Sequence, residues 1–438
     1  MVDKSKAPSR RAFLGLAAGA GALGLSGTFS EAQAPIPTNA KILILGAGAA
    51  GTALANRLTE RLEGASITLV DGRQAHWYQP GFSLIAAGLK PASYSISQTV
   101  DWLPSGVTLK QDWAANIDPE ARKVALAGGE TLSYDYLIIA TGLTLDHDAI
   151  EGFTLDMVGE NGIGALYAGP DYAAKTWKAA SKFTEDGGIG LFTRPATEMK
   201  CAGAPLKHTF LIDDLARKAG TRSKMDVRYM SNNKSLFGVP IVSEKVRMLF
   251  EDREIASDYS HVLTSIDAGS KRARFDTPEG VVERDYDYIH VIPPQRAPDV
   301  VRQSGLSWAD KWVDQGWVEV DKANLRHLRY PEVFALGDVA GVPKGKTAAS
   351  VKWQVPVVEE HLVAQISGDT TDAAFNGYTS CPLITQVGRA MLIEFDYNNN
   401  LTPSFPGIIA PLEELWISWL MKEVALKATY NAMLRGKA

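Results

Sequence analysis

The sequence predicts an α/β protein of two Rossmann-like dinucleotide-binding domains followed by an amphipathic helical tail. Three observations predict it. The apolar run Lys41 to Leu45 leads straight into Gly46-Ala47-Gly48-Ala49-Ala50-Gly51 and a helical stretch through Leu62, and Ser66 to Asp71 supplies the next strand, which completes a βαβ opening. A second α/β unit opens at Ile189-Gly190-Leu191-Phe192. From Pro411 to Ala438, apolar residues recur at helical spacing.

The elements follow in order. A strand is expected at Val107 to Lys110 and another at Tyr136 to Ala140. The second unit should hold a helix from Pro205 to Ala219 and strands at Val227 to Met230 and Tyr288 to Ile292. The strand Val333 to Leu336 and the helix beyond Thr347 read as a return to the first domain. The expected organisation is therefore 39–148 and 323–390 for the first domain, 149–322 for the second, and 391–438 for a C-terminal region.

The chain has 438 residues, enough for two or three domains with full cores. Hydrophobic residues make up 45% and charged residues 22%, an ordinary globular balance, and a net charge of -5 argues against nucleic acid as a partner. Residues 1–34 read as an export signal. Ser9-Arg10-Arg11-Ala12-Phe13-Leu14 carries paired arginines, Leu14 to Ser26 is weakly apolar and too short to span a bilayer, and Ala32-Gln33-Ala34 is a cleavage site. The segment resembles a twin-arginine signal, which carries folded proteins and implies a periplasmic location.

In the opening motif the glycines permit a tight turn and close approach of a pyrophosphate, whose charge sits at the helix N-terminus together with the Ala49 and Ala50 amides. Asp71 lies 20 residues beyond Gly51, where a carboxylate accepts ribose hydroxyls. The motif does not separate FAD from NAD. In the second unit the corresponding strand continues Thr193-Arg194-Pro195-Ala196-Thr197-Glu198, which cannot form a second pyrophosphate turn. One dinucleotide is expected, and NADH is not expected as reductant.

Cys201 and Cys381 are the two cysteines. Cys201 precedes a helix with proline in its first turn, so the helix dipole, Lys200 and Lys207 all favour its thiolate. Cys381 lies in Thr379-Ser380-Cys381-Pro382, whose small and rigid neighbours should leave its sulfur accessible. The alternative is one structural disulfide closing a long loop. The seven histidines show no metal-ligand spacing, so no metal is expected.

Tyr136 to Gly142 and Phe334 to Asp338 resemble the paired elements that bracket FAD in glutathione-reductase-like flavoproteins. The resemblance implies that Thr141 and Gly142 close on the nucleotide half and that Gly337 and Asp338 hold the ribityl chain. Together with His76-Trp77-Tyr78-Gln79-Pro80, Lys200 to Pro205, Arg329-Tyr330-Pro331, Lys346 to Ala349, Gly377 to Leu383 and Glu394 to Tyr397, the chain resembles the sulfide:quinone oxidoreductases, in the branch that includes the mitochondrial enzymes. That resemblance implies non-covalent FAD held also by Gln79, Ala114 and Lys346. It implies a Cys201–Cys381 redox disulfide that sulfide opens to a persulfide on Cys381, with the Cys201 thiolate facing the flavin and Lys207 holding it. It implies a sulfane-sulfur acceptor, and a membrane quinone admitted beside Phe395 and Tyr397. Where many relatives carry a third cysteine after Gly337-Asp338, Val339 stands here, as in the two-cysteine branch. The flavin subunit of a flavocytochrome c sulfide dehydrogenase is also similar, but it carries a flavin-linking cysteine near Tyr78-Gln79 that is missing here. A NADH:quinone-type flavin reductase is the remaining relative, disfavoured by the missing second fingerprint. The tail, with Trp416, Trp419 and Leu420 on one face, is expected to dock in a membrane surface. Its alternative is a core-packing helix or the dimer helix of a homo-oligomer.

Overall fold

The computed structural model describes residues 34–438, so the export signal read over 1–34 lies, apart from Ala34, outside the described residues. The first sheet gathers β1 (Lys41–Leu45), β2 (Ser66–Val70), β3 (Val107–Lys110) and β4 (Tyr136–Ile139), with α1 (Ala49–Arg61) between β1 and β2. The chain then builds a second unit from β5 (Ile163–Gly164), α2 (Pro170–Asp186), β6 (Gly188–Thr193), α3 (Ala204–Ala219), β7 (Met225–Met230), α4 (Pro240–Asp252), β8 (Ala256–Asp258) and β9 (Tyr288–His290). It returns through β10 (Val333–Ala335) and α5 (Ala348–Ser367). A hairpin, β11 (Thr379–Gln386) and β12 (Arg389–Phe395), precedes the tail.

Both main sheets are five-stranded, with orders β10-β4-β1-β2-β3 and β5-β9-β6-β7-β8. Every pairing in them is parallel. That is why their strands read as unbroken apolar runs: Ile42 to Leu45 are at most 2% exposed, because parallel strands are covered on both faces. In the first core Ile42, Ile44, Leu54, Leu58, Leu137 and Ile138 contribute roughly 1.5–3 kcal/mol each on burial. Arg57 and Arg61 of α1 pair with Glu359 of α5 and fix the two helices against each other.

Two boundaries differ from expectation. The hairpin runs through residue 390, because the register Thr379↔Phe395 to Gln386↔Arg389 makes one antiparallel unit of its two halves. The tail is not a separate appendage either. It forms α6 (Trp416–Leu420), a π-helical turn over Met421–Ala425 and α7 (Leu426–Leu434). Tyr430, Met433 and Leu434 enter the first core, and Trp419 is buried against Leu84, Leu211, Ile384 and Ala390. Among the described residues no helix is long and apolar enough to cross a membrane.

Candidate active site

A cavity of about 490 Å³ opens at the carboxyl ends of β1 and β4, the crevice where doubly wound sheets bind ligands. Gly46 has φ +105°, and a Cβ there would sit 2.4 Å from the Ala140 carbonyl oxygen, so glycine is required for the turn to pass the end of β4. A Cβ on Gly48 would meet nothing within 4 Å, which leaves the cradle open for a pyrophosphate. Gly51 does a different job from the one expected: it does not line the cavity, and its Cβ would lie 1.9 Å from the Gly46 carbonyl oxygen, so it permits the close packing of α1 on the turn.

Ala49, Ala50, Asp71, Gln79, Ala114, Thr141, Gly142, Gly337, Asp338 and Lys346 all line this cavity. Asp71 accepts a hydrogen bond from the Ala47 amide at 2.8 Å, which fixes its carboxylate at the turn. The buried Thr141 hydroxyl has no protein partner, and burial raises the pKa of the Asp338 carboxyl. An open glycine cradle, an unpartnered hydroxyl and two carboxylates at opposite ends match the pyrophosphate, ribose and ribityl groups of FAD. The residues fit the group.

At the far end of the cavity α3 and β11 bring the two cysteines together. Cys201 lines the cavity, while Cys381 is 3% exposed and lies behind it, flanked by the lining residues Ser380 and Pro382. The accessible sulfur expected at Cys381 is therefore buried: β11 turns it inward, against Phe237 and Leu383. Both are free thiols here, in hydrogen-bond contact. A Cβ on Gly203 would sit 2.3 Å from the Cys381 sulfur, so that glycine is the notch through which the sulfurs meet. The hydrogen bond from Cys381 holds the Cys201 pKa well below that of an ordinary thiol, with Lys207 and Lys422 reinforcing it. The same contact pushes the Cys381 pKa well up, so the charge rests on Cys201.

Lys207, 4% exposed, donates to the Cys201 sulfur at 3.5 Å. Burial pulls its pKa down, but the two sulfurs more than offset this and leave it above an ordinary lysine. Lys346 lines the cavity, as expected, with its ammonium engaged by protein groups. Its ammonium donates to the carbonyls of Asp338 (2.5 Å) and Ala340 (3.1 Å), and lies 3.7 Å from the centre of the Trp317 ring. What reaches Cys201 is the Lys346 carbonyl, which accepts the Cys201 amide at 3.0 Å. Lys200 turns away from the sulfurs and donates to Gln79 at 2.8 Å.

Phe395 and Tyr397 do not line the cavity. Phe395 packs edge-on against Phe237 in the second core, and Tyr397 covers Gly377 and donates to the Lys322 carbonyl. Their place at the cavity is taken by Lys422, Leu426 and Tyr430 of the tail, which the sequence did not single out as site residues. Lys422 is 2% exposed, donates to the Pro80 carbonyl at 2.6 Å and has its pKa lowered by burial to about 7. The only sequence signal was a lysine inside an apolar helical stripe. Trp113 and Tyr167 also line the cavity and were missed. His76 bonds the Ala47 carbonyl and the Tyr430 hydroxyl, which ties the glycine turn to the tail.

One glycine turn for a dinucleotide with a coupled cysteine pair facing it defines a flavin-dependent oxidoreductase of the disulfide type. Consistent with this, residues 40–168 match the pyridine nucleotide-disulphide oxidoreductase domain family. The chain belongs to the sulfide:quinone oxidoreductase family. It is 35% identical to the mitochondrial sulfide:quinone oxidoreductase of Mus musculus over 90% of this chain and 86% of that one. It is 34% identical to the mitochondrial enzyme of Dictyostelium discoideum, over 91% and 86%. The fold matches the solved sulfide:quinone oxidoreductase of Aquifex aeolicus with a TM-score of 0.75 at 19% identity, covering 91% of this chain and 92% of that one.

Proposed function

We propose that this enzyme oxidises sulfide through a Cys201–Cys381 disulfide and passes the electrons by way of non-covalently held FAD to a quinone. The observation that carries the reading is the pair of sulfurs, 180 positions apart in sequence, brought together at the wall of a cavity shaped for a dinucleotide. In the oxidised form hydrosulfide attacks the Cys381 sulfur, the S–S bond breaks, Cys381 keeps the added sulfur as a persulfide and Cys201 leaves as a thiolate. Lys207 and Lys422 stabilise that leaving thiolate. Phe237 and Leu383 crowd Cys381, which suits a nucleophile as small as hydrosulfide. FAD in the cavity supplies a two-electron acceptor that a quinone can reoxidise. A sulfane-sulfur acceptor, a role that excess hydrosulfide itself can fill, removes the outer sulfur, and Cys201 and Cys381 re-form their bond as their two electrons pass to the flavin acceptor.

No cysteine stands in the sequence around Tyr78-Gln79, which supports non-covalent flavin, and β6 runs on into Arg194-Pro195, which disfavours NADH. Anaerobic titration with sulfide should bleach the flavin absorbance of the holoenzyme, and a soluble quinone should restore it. Acid precipitation should release the flavin, and NADH should leave it oxidised. Cys381→Ser should abolish bleaching by sulfide but not by dithionite; retention of near wild-type bleaching sinks the reading.

Membrane quinone requires a surface that meets lipid. Trp416 and Val424 are 56% and 60% exposed, half-buried Leu420 lies between them, and Ile408 is 75% exposed. We infer that these residues, with Trp419 excluded by its burial, dock the tail on the outer face of the cytoplasmic membrane. Export by the twin-arginine route would deliver it there. A precursor carrying Arg10→Lys and Arg11→Lys should accumulate in the cytoplasm; normal export of that variant would remove the periplasmic assignment.

A further inference from the structure

Cys201 has φ +44°, a left-handed backbone that a non-glycine residue adopts only when its surroundings impose it. Three contacts impose it. The Cys201 amide donates to the Lys346 carbonyl at 3.0 Å, and the Cys201 carbonyl accepts the Ala204 amide at 2.8 Å. The third contact comes from outside the loop and is the only one of the three made by a side chain. Tyr167, from the segment just before α2, shares its hydroxyl proton between the Lys200 carbonyl at 2.9 Å and the Cys201 carbonyl at 2.8 Å.

We propose that Tyr167 is the positioning residue of the sulfur centre, whose hydroxyl latches Cys201 in the backbone conformation that aims its sulfur at Cys381. The inference rests on the reading of these two cysteines as the redox pair and adds the device that sets their geometry. The first amide bond ties the cysteine loop to the chain that leads into α5, and the second is local to the loop. The Tyr167 bond instead fixes the loop to the segment before α2, within the unit that also carries Phe237, which crowds Cys381. A disulfide tolerates little change in the placement of its two residues. Releasing the Cys201 carbonyl lets the strained residue relax, lowers the effective concentration of one sulfur at the other and favours the dithiol.

Tyr167→Phe removes the hydroxyl and keeps the ring, which is 7% exposed. Tyr134→Phe is the control, since Tyr134 is equally buried and its hydroxyl has no protein partner. Each holoenzyme is equilibrated in dithiothreitol redox buffers, trapped by alkylation and scored by mass for free and bonded cysteine. Tyr167→Phe should shift the equilibrium toward the dithiol by roughly three- to tenfold, the effect of one buried hydrogen bond, while flavin content and melting temperature match the control. An unshifted equilibrium overturns the positioning role and leaves the redox pair standing. Loss of flavin, or a melting temperature far below that of Tyr134→Phe, overturns it too, because the hydroxyl would then hold the domain and not the cysteine. A wild-type pair that never forms a disulfide overturns both readings.

Discussion

Lys422 shows how one residue decides the chemistry at this site. A lysine at 2% exposure is costly to keep charged, and burial brings its pKa to about 7. Below that pH it is a cation beside Cys201; above it the cation is lost and Lys207 remains. Lys422→Met removes the charge at every pH. The Cys201 thiolate should then be less favoured, so the pH at which iodoacetamide begins to alkylate Cys201 should rise, with the largest difference from wild type below about pH 7. Coincident alkylation profiles would show that Lys207 alone sets the thiolate.

The tail carries two opposite faces within one element. Its π-helical turn at Met421–Ala425 inserts an extra residue into the helix, and such turns are rare and frequently mark functional sites. Here Lys422 and Trp419 face inward while Trp416 and Val424 face out. Each exposed apolar side chain placed in lipid adds roughly 25 cal/mol per Å² of apolar surface buried, so several together support peripheral binding. Trp416→Glu combined with Val424→Glu should abolish co-sedimentation with liposomes and turnover of long-chain quinone, while sulfide still bleaches the flavin. Trp419→Ala should instead lower stability by about 3–5 kcal/mol, because it empties a core site. If the double variant still binds liposomes and turns over long-chain quinone normally, the outward face serves something other than a membrane.

Across the whole molecule, four buried histidines stay neutral. Burial lowers His76 and His327 to about 4 and His208 to about 3, and lowers His290 as well. Their pKa values in the folded chain lie below the unfolded value of about 6.5. The unfolded chain therefore takes up protons first as pH falls, and stability is lost from about pH 6.5 down toward pH 4. Asp338 and Glu359 are shifted upward by burial and act with the opposite sign, but they are two groups against four. Between pH 7 and 5 the histidines dominate. The melting temperature followed by circular dichroism should be several degrees lower at pH 5 than at pH 7; equal values would mean that these rings are protonated in the folded state.

The local chain determined much of this. Apolar runs ending in glycine, the Asp71 carboxylate and the Ala-Thr-Gly and Gly-Asp strand ends located both α/β units and one wall of the cavity, because strands and tight turns depend on near neighbours. Cys201 and Lys207 were legible for the same reason: they lie six positions apart, Cys201 just before α3 and Lys207 in its first turn. Tertiary packing decided the rest. The burial of Cys381, the notch at Gly203 and the Tyr167 latch each depend on groups far apart in sequence. The tail's periodicity could reveal that it had an apolar face. It could not reveal that Trp419 and Tyr430 would be drawn into the protein while Trp416 stayed outside, because the π-turn rotates the two halves of the helix and the surface beneath them chooses which side is buried.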